Sequence, residues 1–480
     1  MKKVYIYALA YALTAVSCQD NEWGADSATP QAPEIEIPMG AADGELLIKF
    51  VPEMSDILDQ TLTRVGGVAT RSGIPSTDEV LNILGAYHFE RVFPVDPKTE
   101  KRTREAGMHL WYIVRFDKDA DLKEAARQLR KLGEISKIQS NPTLQRAYDP
   151  KKKTLYLSAS DLQHVTRTSE GLTFNDPGLK HQWHYRNAGN YDFVKKDRAE
   201  AIAGADVNCG EAWELCKGDP SIIVAVLDEG VMWSHPDLIA NMWTNEAEEI
   251  GSTEDKDGNG YKGDRYGYNF VKNTGVISWT SADDTGHGTH VAGTIAAENG
   301  NSIGVSGIAG GDGNTGSGVK IMTCQLFDGQ YGATLAAEAK AIKYAADNGA
   351  VVLQCSWGYN SPDANEALGY VPGPKNEQDW ENQYPLEKEA LDYFIHNAGS
   401  PNGVIDGGLA IFASGNEYAP SSSFPAGYSK CISVSAIAAD YTPSSYTNYG
   451  AEITLCAPGG DGDYYGTPGV ADDEFAWEGK

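Results

Sequence analysis

Apolar and polar positions fall into four regimes along the chain. Val4–Val16 is an apolar run behind Lys2 and Lys3, too short to cross a bilayer as a mature helix. Residues 19–43 carry no hydrophobic period and include Thr29-Pro30-Gln31-Ala32-Pro33, a polar tether. Residues 44–147 alternate short strands with amphipathic helices. Strands are predicted at Glu45–Val51, His109–Phe116 and Ile135–Ile138, with helices at Ser76–Leu84, behind a Ser cap, and Leu122–Leu132. That order predicts a small α+β domain. Polar, basic sequence follows at 148–174, with Lys151-Lys152-Lys153 and Arg167, and reads as a cleavable linker.

From residue 175 to 480 the pattern changes again. Ile222–Leu227, Val319–Leu326, Val351–Cys355, Leu409–Ala413 and Ile432–Val434 are short apolar runs of the kind buried in a parallel sheet. Helical periods at Gly288–Glu298, Leu335–Asn348 and Leu386–Asn397 fall between them. This βαβ series predicts an α/β fold with a doubly wound, mostly parallel sheet, preceded by the small α+β domain.

Charge narrows the partners. With 67 acidic and 39 basic side chains the 480-residue chain carries a net charge of -28, which disfavours polyanions, so no nucleic-acid partner is expected, and favours basic peptides by long-range steering. The N-terminal run is a targeting segment, so residues 1–18 are expected to direct export. Ala15-Val16-Ser17-Cys18 resembles a bacterial lipoprotein processing site, although Ala15 stands where a leucine is usual. Cys18 is then the lipidation residue and the anchor to a membrane or cell surface; plain secretion is the alternative. Of the other six cysteines, Cys209 and Cys216 are close enough to close a small loop. Cys324, Cys355, Cys431 and Cys456 read as small buried hydrophobes.

Candidate chemistry gathers where such a sheet exposes it, at the carboxyl ends of its strands. Asp228 directly follows the first run, and His287 opens a helix downstream. A carboxylate that fixes the imidazole tautomer leaves the other ring nitrogen to take a proton from a hydroxyl. Asp255-Lys256-Asp257-Gly258-Asn259-Gly260 places oxygen ligands at alternate positions with Gly sixth, as in the start of a calcium loop. Tyr266 stands where the bidentate acid belongs, which excludes a full site of that type; Asp264 is an alternative donor, and a plain turn is the competing reading.

Together with their flanks, these positions resemble the subtilisin-like serine proteases, or subtilases. The matching segments are Asp228-Glu229-Gly230-Val231, His235-Pro236-Asp237-Leu238, His287-Gly288-Thr289-His290-Val291-Ala292-Gly293-Thr294, Ser356-Trp357-Gly358, Ala413-Ser414-Gly415-Asn416, Phe424-Pro425-Ala426-Gly427 and Ala457-Pro458-Gly459-Gly460. The resemblance implies a serine endopeptidase acting on peptide or protein substrates. Asp228 orients, His287 is the general base, and Asn416 donates its amide to the oxyanion. Ser356, Trp357 and Gly358 pair with an extended peptide by strand addition, and His290 is a structural histidine. Residues 44–147 become a prodomain acting as intramolecular inhibitor, its final strand in the cleft, with a mature N-terminus expected near Phe174. Asn301-Ser302-Ile303-Gly304-Val305 resembles the subtilisin calcium loop, with Asp237, Asn301, Ile303 and Val305 as ligands of a structural Ca²⁺; Asp255, Asp257 and Asn259 form the second candidate site.

The family's nucleophile lies in a Gly-Thr-Ser-x-Ala sequence after the Ala-Pro-Gly segment, and no serine follows Gly460 in the 480 residues. The expectation is an active peptidase whose serine segment lies beyond Lys480, these 480 residues alone being inactive. A peptide-binding pseudoprotease, a split enzyme and a lipid-anchored surface binding protein are the alternatives.

Overall fold

In the computed structural model, residues 41–65, 68–69, 71–146, 172–189, 201–399 and 405–461 are described. The expected export segment, Cys18, residues 19–40 of the tether and linker residues 148–171 lie outside them. Ile35–Lys480 forms one compact unit, and its described part contains two sheets.

The first sheet has five antiparallel strands in the order β2-β3-β4-β1-β5, namely β1 (Ala41–Phe50), β2 (Val68–Ala69), β3 (His88–Arg91), β4 (Trp111–Arg115) and β5 (Ile135–Pro142). Leu46-Leu47-Ile48 is wholly buried although successive strand side chains point to opposite faces. The reason is that the sheet is covered on both sides. Leu46, Ile48 and Phe50 join Tyr112 and Val114 in a core under the helices Pro75–Ile83 and Leu122–Leu129. Leu47, Trp111 and Ile113 turn the other way, into the core of the larger sheet.

The N-terminal domain departs from expectation at several points. Pro75 opens its helix without a side-chain cap, and Asp78 collects the Ser72 and Gly73 N–H groups instead. His109 belongs to a 3-10 turn, so the strand starts at Trp111. The pattern missed the helices Ser55–Val65 and Glu100–Glu105 and strand β3.

The second sheet has eight strands, ordered β13-β12-β11-β10-β6-β8-β7 with β9 beside β8. They are β6 (Ile223–Glu229), β7 (Gly267–Asn269), β8 (Lys320–Asp328), β9 (Tyr331–Gly332), β10 (Val352–Cys355), β11 (Leu409–Ala413), β12 (Ile432–Ile437) and β13 (Leu455–Pro458). Every pairing except β8–β9 is parallel. The chain winds from β6 outward in both directions, the doubly wound arrangement expected, with its switch point beside β6. Val224 and Val226 of β6 face the helix His287–Ala296. Ala225 and Leu227 face the core shared with the helices Leu335–Asp347 and Pro385–Asn397.

No disulfide joins the described cysteines. Cys324, Cys355 and Cys431 are buried as expected, but Cys456 is exposed because β13 is the edge strand. Cys209 and Cys216 carry unbridged thiols.

The small sheet sits on the N-termini of two helices whose first N–H groups have no intrahelical acceptor. Asn141 Oδ1 accepts from Ala336 N at 2.9 Å and Gln139 Oε1 from Leu386 N at 2.9 Å. Glu389 accepts from Lys49 Nζ (2.8 Å), Lys137 Nζ (3.0 Å) and Trp111 Nε1 (2.7 Å). N141A is expected to cost about 0.5–2 kcal/mol, the range for losing a helix cap, read as a lower urea midpoint, and N141D should not recover it, because Asn141 Nδ2 donates to Glu45 Oε2 at 2.7 Å and a second carboxylate would face Glu45. An unchanged midpoint in N141A would show that water replaces the side chain.

Candidate active site

Two consecutive carboxylates end β6 and do different work. Asp228 is buried, and both its oxygens reach His287 Nδ1, Oδ1 at 2.8 Å and Oδ2 at 2.9 Å. Its Oδ1 also accepts from Glu229 N at 2.6 Å, which fixes the carboxylate. The next side chain points away and caps the histidine helix: Glu229 Oε2 accepts from Thr285 N (3.0 Å), Gly286 N (3.0 Å), His287 N (3.1 Å) and Thr285 Oγ1 (3.1 Å). A carboxylate on the first N–H groups of a helix satisfies orphan donors and complements the dipole. Gly288 allows this approach, since a Cβ there would meet Glu229 O at 2.3 Å. The sequence pattern did not single out Glu229; its only signal was adjacency to Asp228.

The helix therefore holds the imidazole against Asp228 from its own first turn. Burial opposes the charged ring, but the Asp228 charge and hydrogen bond outweigh it, with Glu229 adding, so the His287 pKa lies above the ordinary value. His290 is exposed one turn along.

His287 lines a cleft of about 650 Å³ together with Ser356, Trp357, Gly358 and Asn416. Asn416 follows β11 and Ser356 follows β10, so the parallel register that pairs Cys355 with Phe412 delivers both to one edge. Trp357 is buried with its ring edge-on to Phe412 (centroids 5.3 Å apart), so its bulk fills core. The cleft also holds residues of this chain. Beyond β5, Leu144 N donates to Ala333 O at 2.9 Å, Thr143 bridges Thr334, and Arg146 bridges Trp357, both antiparallel. Residues 143–146 thus lie as a strand between Ala333–Thr334 and the Ser356–Gly358 segment. Gly332 permits the close passage, because a Cβ there would meet Leu144 O at 2.3 Å.

Two groups of oxygen donors lie elsewhere. Asp237 is buried and accepts from Asn301 Nδ2 (2.8 Å) and Val305 N (2.9 Å), while Asn301 Oδ1 accepts from Ile303 N (2.8 Å). Burial pushes the Asp237 pKa up to about 6 against those hydrogen bonds, and Asp176 and Glu298 repel its charge. Asp176 Oδ1 is buried and unpartnered among the described residues. This hard-oxygen set with an orphaned acceptor fits Ca²⁺ chemically. In the second group Glu248, Asp257 and Asp264 bring carboxylate oxygens within 4.8 Å of one another. Asp255, whose carboxyl lies against that of Asp257, accepts from Gly258 N (2.8 Å) and Gly260 N (2.8 Å) in the turn. Asn259 donates to Asp264 Oδ2 at 3.0 Å. Glu248 escaped sequence reasoning because it precedes the motif.

A family model described as the subtilase family matches residues 219–476. Halolysin from Haloferax mediterranei is 33% identical over 257 residues, 54% of this chain and 38% of the halolysin. An extracellular protease of Xanthomonas campestris is 27% identical over 355 residues, 72% of this chain and 49% of that protein. Thermitase from Thermoactinomyces vulgaris is 28% identical over 253 residues, 53% of this chain and 68% of thermitase. The chain thus spans less than half the length of the first two.

The His287 shift sets a sign. The folded pKa exceeds the unfolded one, so the pair's stabilisation is complete below the unfolded value near 6.5 and is lost as pH rises through the folded value. An NMR titration should place the His287 midpoint above that of a free histidine, and D228N should lower it. A midpoint unmoved by D228N would show that the carboxylate does not act on the ring.

Proposed function

The chain belongs to the subtilase family, and we propose on that footing that it is built as a serine endopeptidase acting on extended peptide segments. The observation that carries this reading is the Asp228–His287 pair at the edge of a cleft that already holds a peptide strand. In the proposed mechanism a substrate lies between Ala333–Thr334 and Ser356–Gly358 and forms main-chain hydrogen bonds there. Asp228 keeps the proton on Nδ1, leaving Nε2 to deprotonate a hydroxyl and then protonate the leaving amine. Asn416 donates its side-chain amide to the tetrahedral oxyanion. No serine follows Gly460 in the 480 residues, so the proposal assigns the nucleophile to none of them.

The same reading makes the N-terminal domain an intramolecular inhibitor, with residues 143–146 in the substrate's place. It also includes export: residues 1–18 carry the targeting pattern, and the Xanthomonas relative is named an extracellular protease. Lipid anchoring through Cys18 is its finer form. Asp237, Asn301, Ile303 and Val305 would hold a structural Ca²⁺, joined by Asp176, and the ion would neutralise their buried charge. A second reading is a cleft that binds peptides without cleaving them, and the backbone pairing of residues 143–146 on both sides of the cleft is the observation that favours it.

Three measurements test these readings. Protein purified from its source cells should be labelled by a fluorophosphonate probe, with labelling lost in H287A. Absence of labelling with peptide binding retained would favour the second reading. N416A should reduce kcat by about 10²–10³ with a smaller change in KM, the magnitude known for the corresponding donor in subtilisin. Calcium should raise Tm in the wild type and leave D237N unmoved; equal shifts would remove Asp237 from any ion site.

A further inference from the structure

Arg146 is the one side chain of the cleft-bound strand that meets a charged pocket. Its Nη2 lies 3.1 Å from Glu229 Oε1 and 3.7 Å from Asp284 Oδ1, and Nη1 donates to Asp283 O at 2.9 Å. The guanidinium lies over the Phe327 ring, 5.7 Å from its centroid. Its side chain is 10% exposed, and those of Glu229 and Asp284 are 1% and 2% exposed. A planar fork, two carboxylates, a carbonyl and an aromatic face match the demands of arginine, whereas a lysine ammonium would match only part of the set.

The pocket is held by groups other than Arg146. Glu229 is fixed by the N–H groups of Thr285, Gly286 and His287. Asp284 Oδ1 accepts from Gly329 N at 2.7 Å and Oδ2 from Ser281 N at 2.8 Å. When residues 143–146 leave the cleft, two buried carboxylates remain with their geometry set, a preorganised receptor for a cation. The strand runs from Ala333, met by Leu144, toward the turn that carries His287. The bond brought to that histidine therefore lies on the C-terminal side of the Arg146 position.

We propose that Glu229 and Asp284 form an arginine-selecting subsite, and that the substrates are peptides with an arginine on the N-terminal side of the cleaved bond, at the position Arg146 occupies. This deepens the peptidase reading and rests on it for cleavage, though not for binding. It also assigns Glu229 two tasks, capping the histidine helix and reading the substrate, which places the bound arginine one carboxylate away from the base.

The test uses the full chain carrying R146A and L144P, which empties the pocket and removes the Leu144 N–H that holds the tethered strand to Ala333, so that added peptides can enter the cleft. Fluorescein-labelled peptides of sequence Thr-Leu-Gln-X-Ala, with X as arginine, lysine or the uncharged isostere citrulline, are titrated by polarisation. The arginine peptide should bind about tenfold or more tighter than the citrulline peptide, with lysine between. D284N in the same background should reduce that ratio, a readout insensitive to general loss of affinity. Equal binding of arginine and citrulline peptides, or a ratio unmoved by D284N, overturns the proposal. If no peptide binds, the proposal falls together with the peptide-cleft reading. A persistent arginine preference without hydrolysis upholds the subsite and counts against the peptidase reading alone.

Discussion

The site depends on how β6 ends. Asp228 and Glu229 are adjacent, so the pleat sends their side chains in different directions, and each engages a different part of one segment. Asp228 takes the ring of His287, and Glu229 takes the backbone N–H groups that lead into its helix. Neither bond alone would fix the imidazole. A ring held only at Nδ1 would swing with its helix, and a capped helix without Asp228 would leave the ring free to rotate. Because β6 is an interior, fully buried strand paired on both edges, by β10 and β8, both carboxylates sit at the end of a strand held on both sides.

The N-terminal domain extends the same logic. Its sheet buries both faces, one under its own helices and the other against the larger core, so Leu46-Leu47-Ile48 serves two cores at once. Asn141 and Gln139 accept from the Ala336 and Leu386 N–H groups at two helix N-termini, the first of which Thr334 also caps. These contacts aim the chain leaving β5 into the cleft, where residues 143–146 pair on both edges and Arg146 reaches the carboxylate that caps the histidine helix. Docking of the small domain and filling of the site are therefore mechanically coupled.

What could be read from the sequence follows from the range of the interactions involved. The apolar runs at Ile222–Leu227 and Leu409–Ala413 mark β6 and β11 because buried parallel strands need little beyond hydrophobicity. Strands β7 and β13, three and four residues long, carry too short a pattern. The helix Ser55–Val65 was hidden because Thr61 and Thr63 dilute its period and Ile57 is exposed. At the site, Asp228 and His287 were readable from local motifs. The capping role of Glu229 was not, because its partners are backbone groups far along the chain, and Arg146 lay outside every motif. Trp357 was ambiguous in sequence, since only packing against Phe412 shows where its ring goes.

The claim on which the rest turns is that Asp228 holds His287 in the tautomer a general base requires. A long-range ¹H–¹⁵N spectrum of the His287 ring in the full chain, recorded above the ring's pKa, reads this directly. The neutral imidazole should carry its proton on Nδ1, with Nε2 unprotonated toward the cleft. A neutral ring protonated on Nε2 would contradict the account.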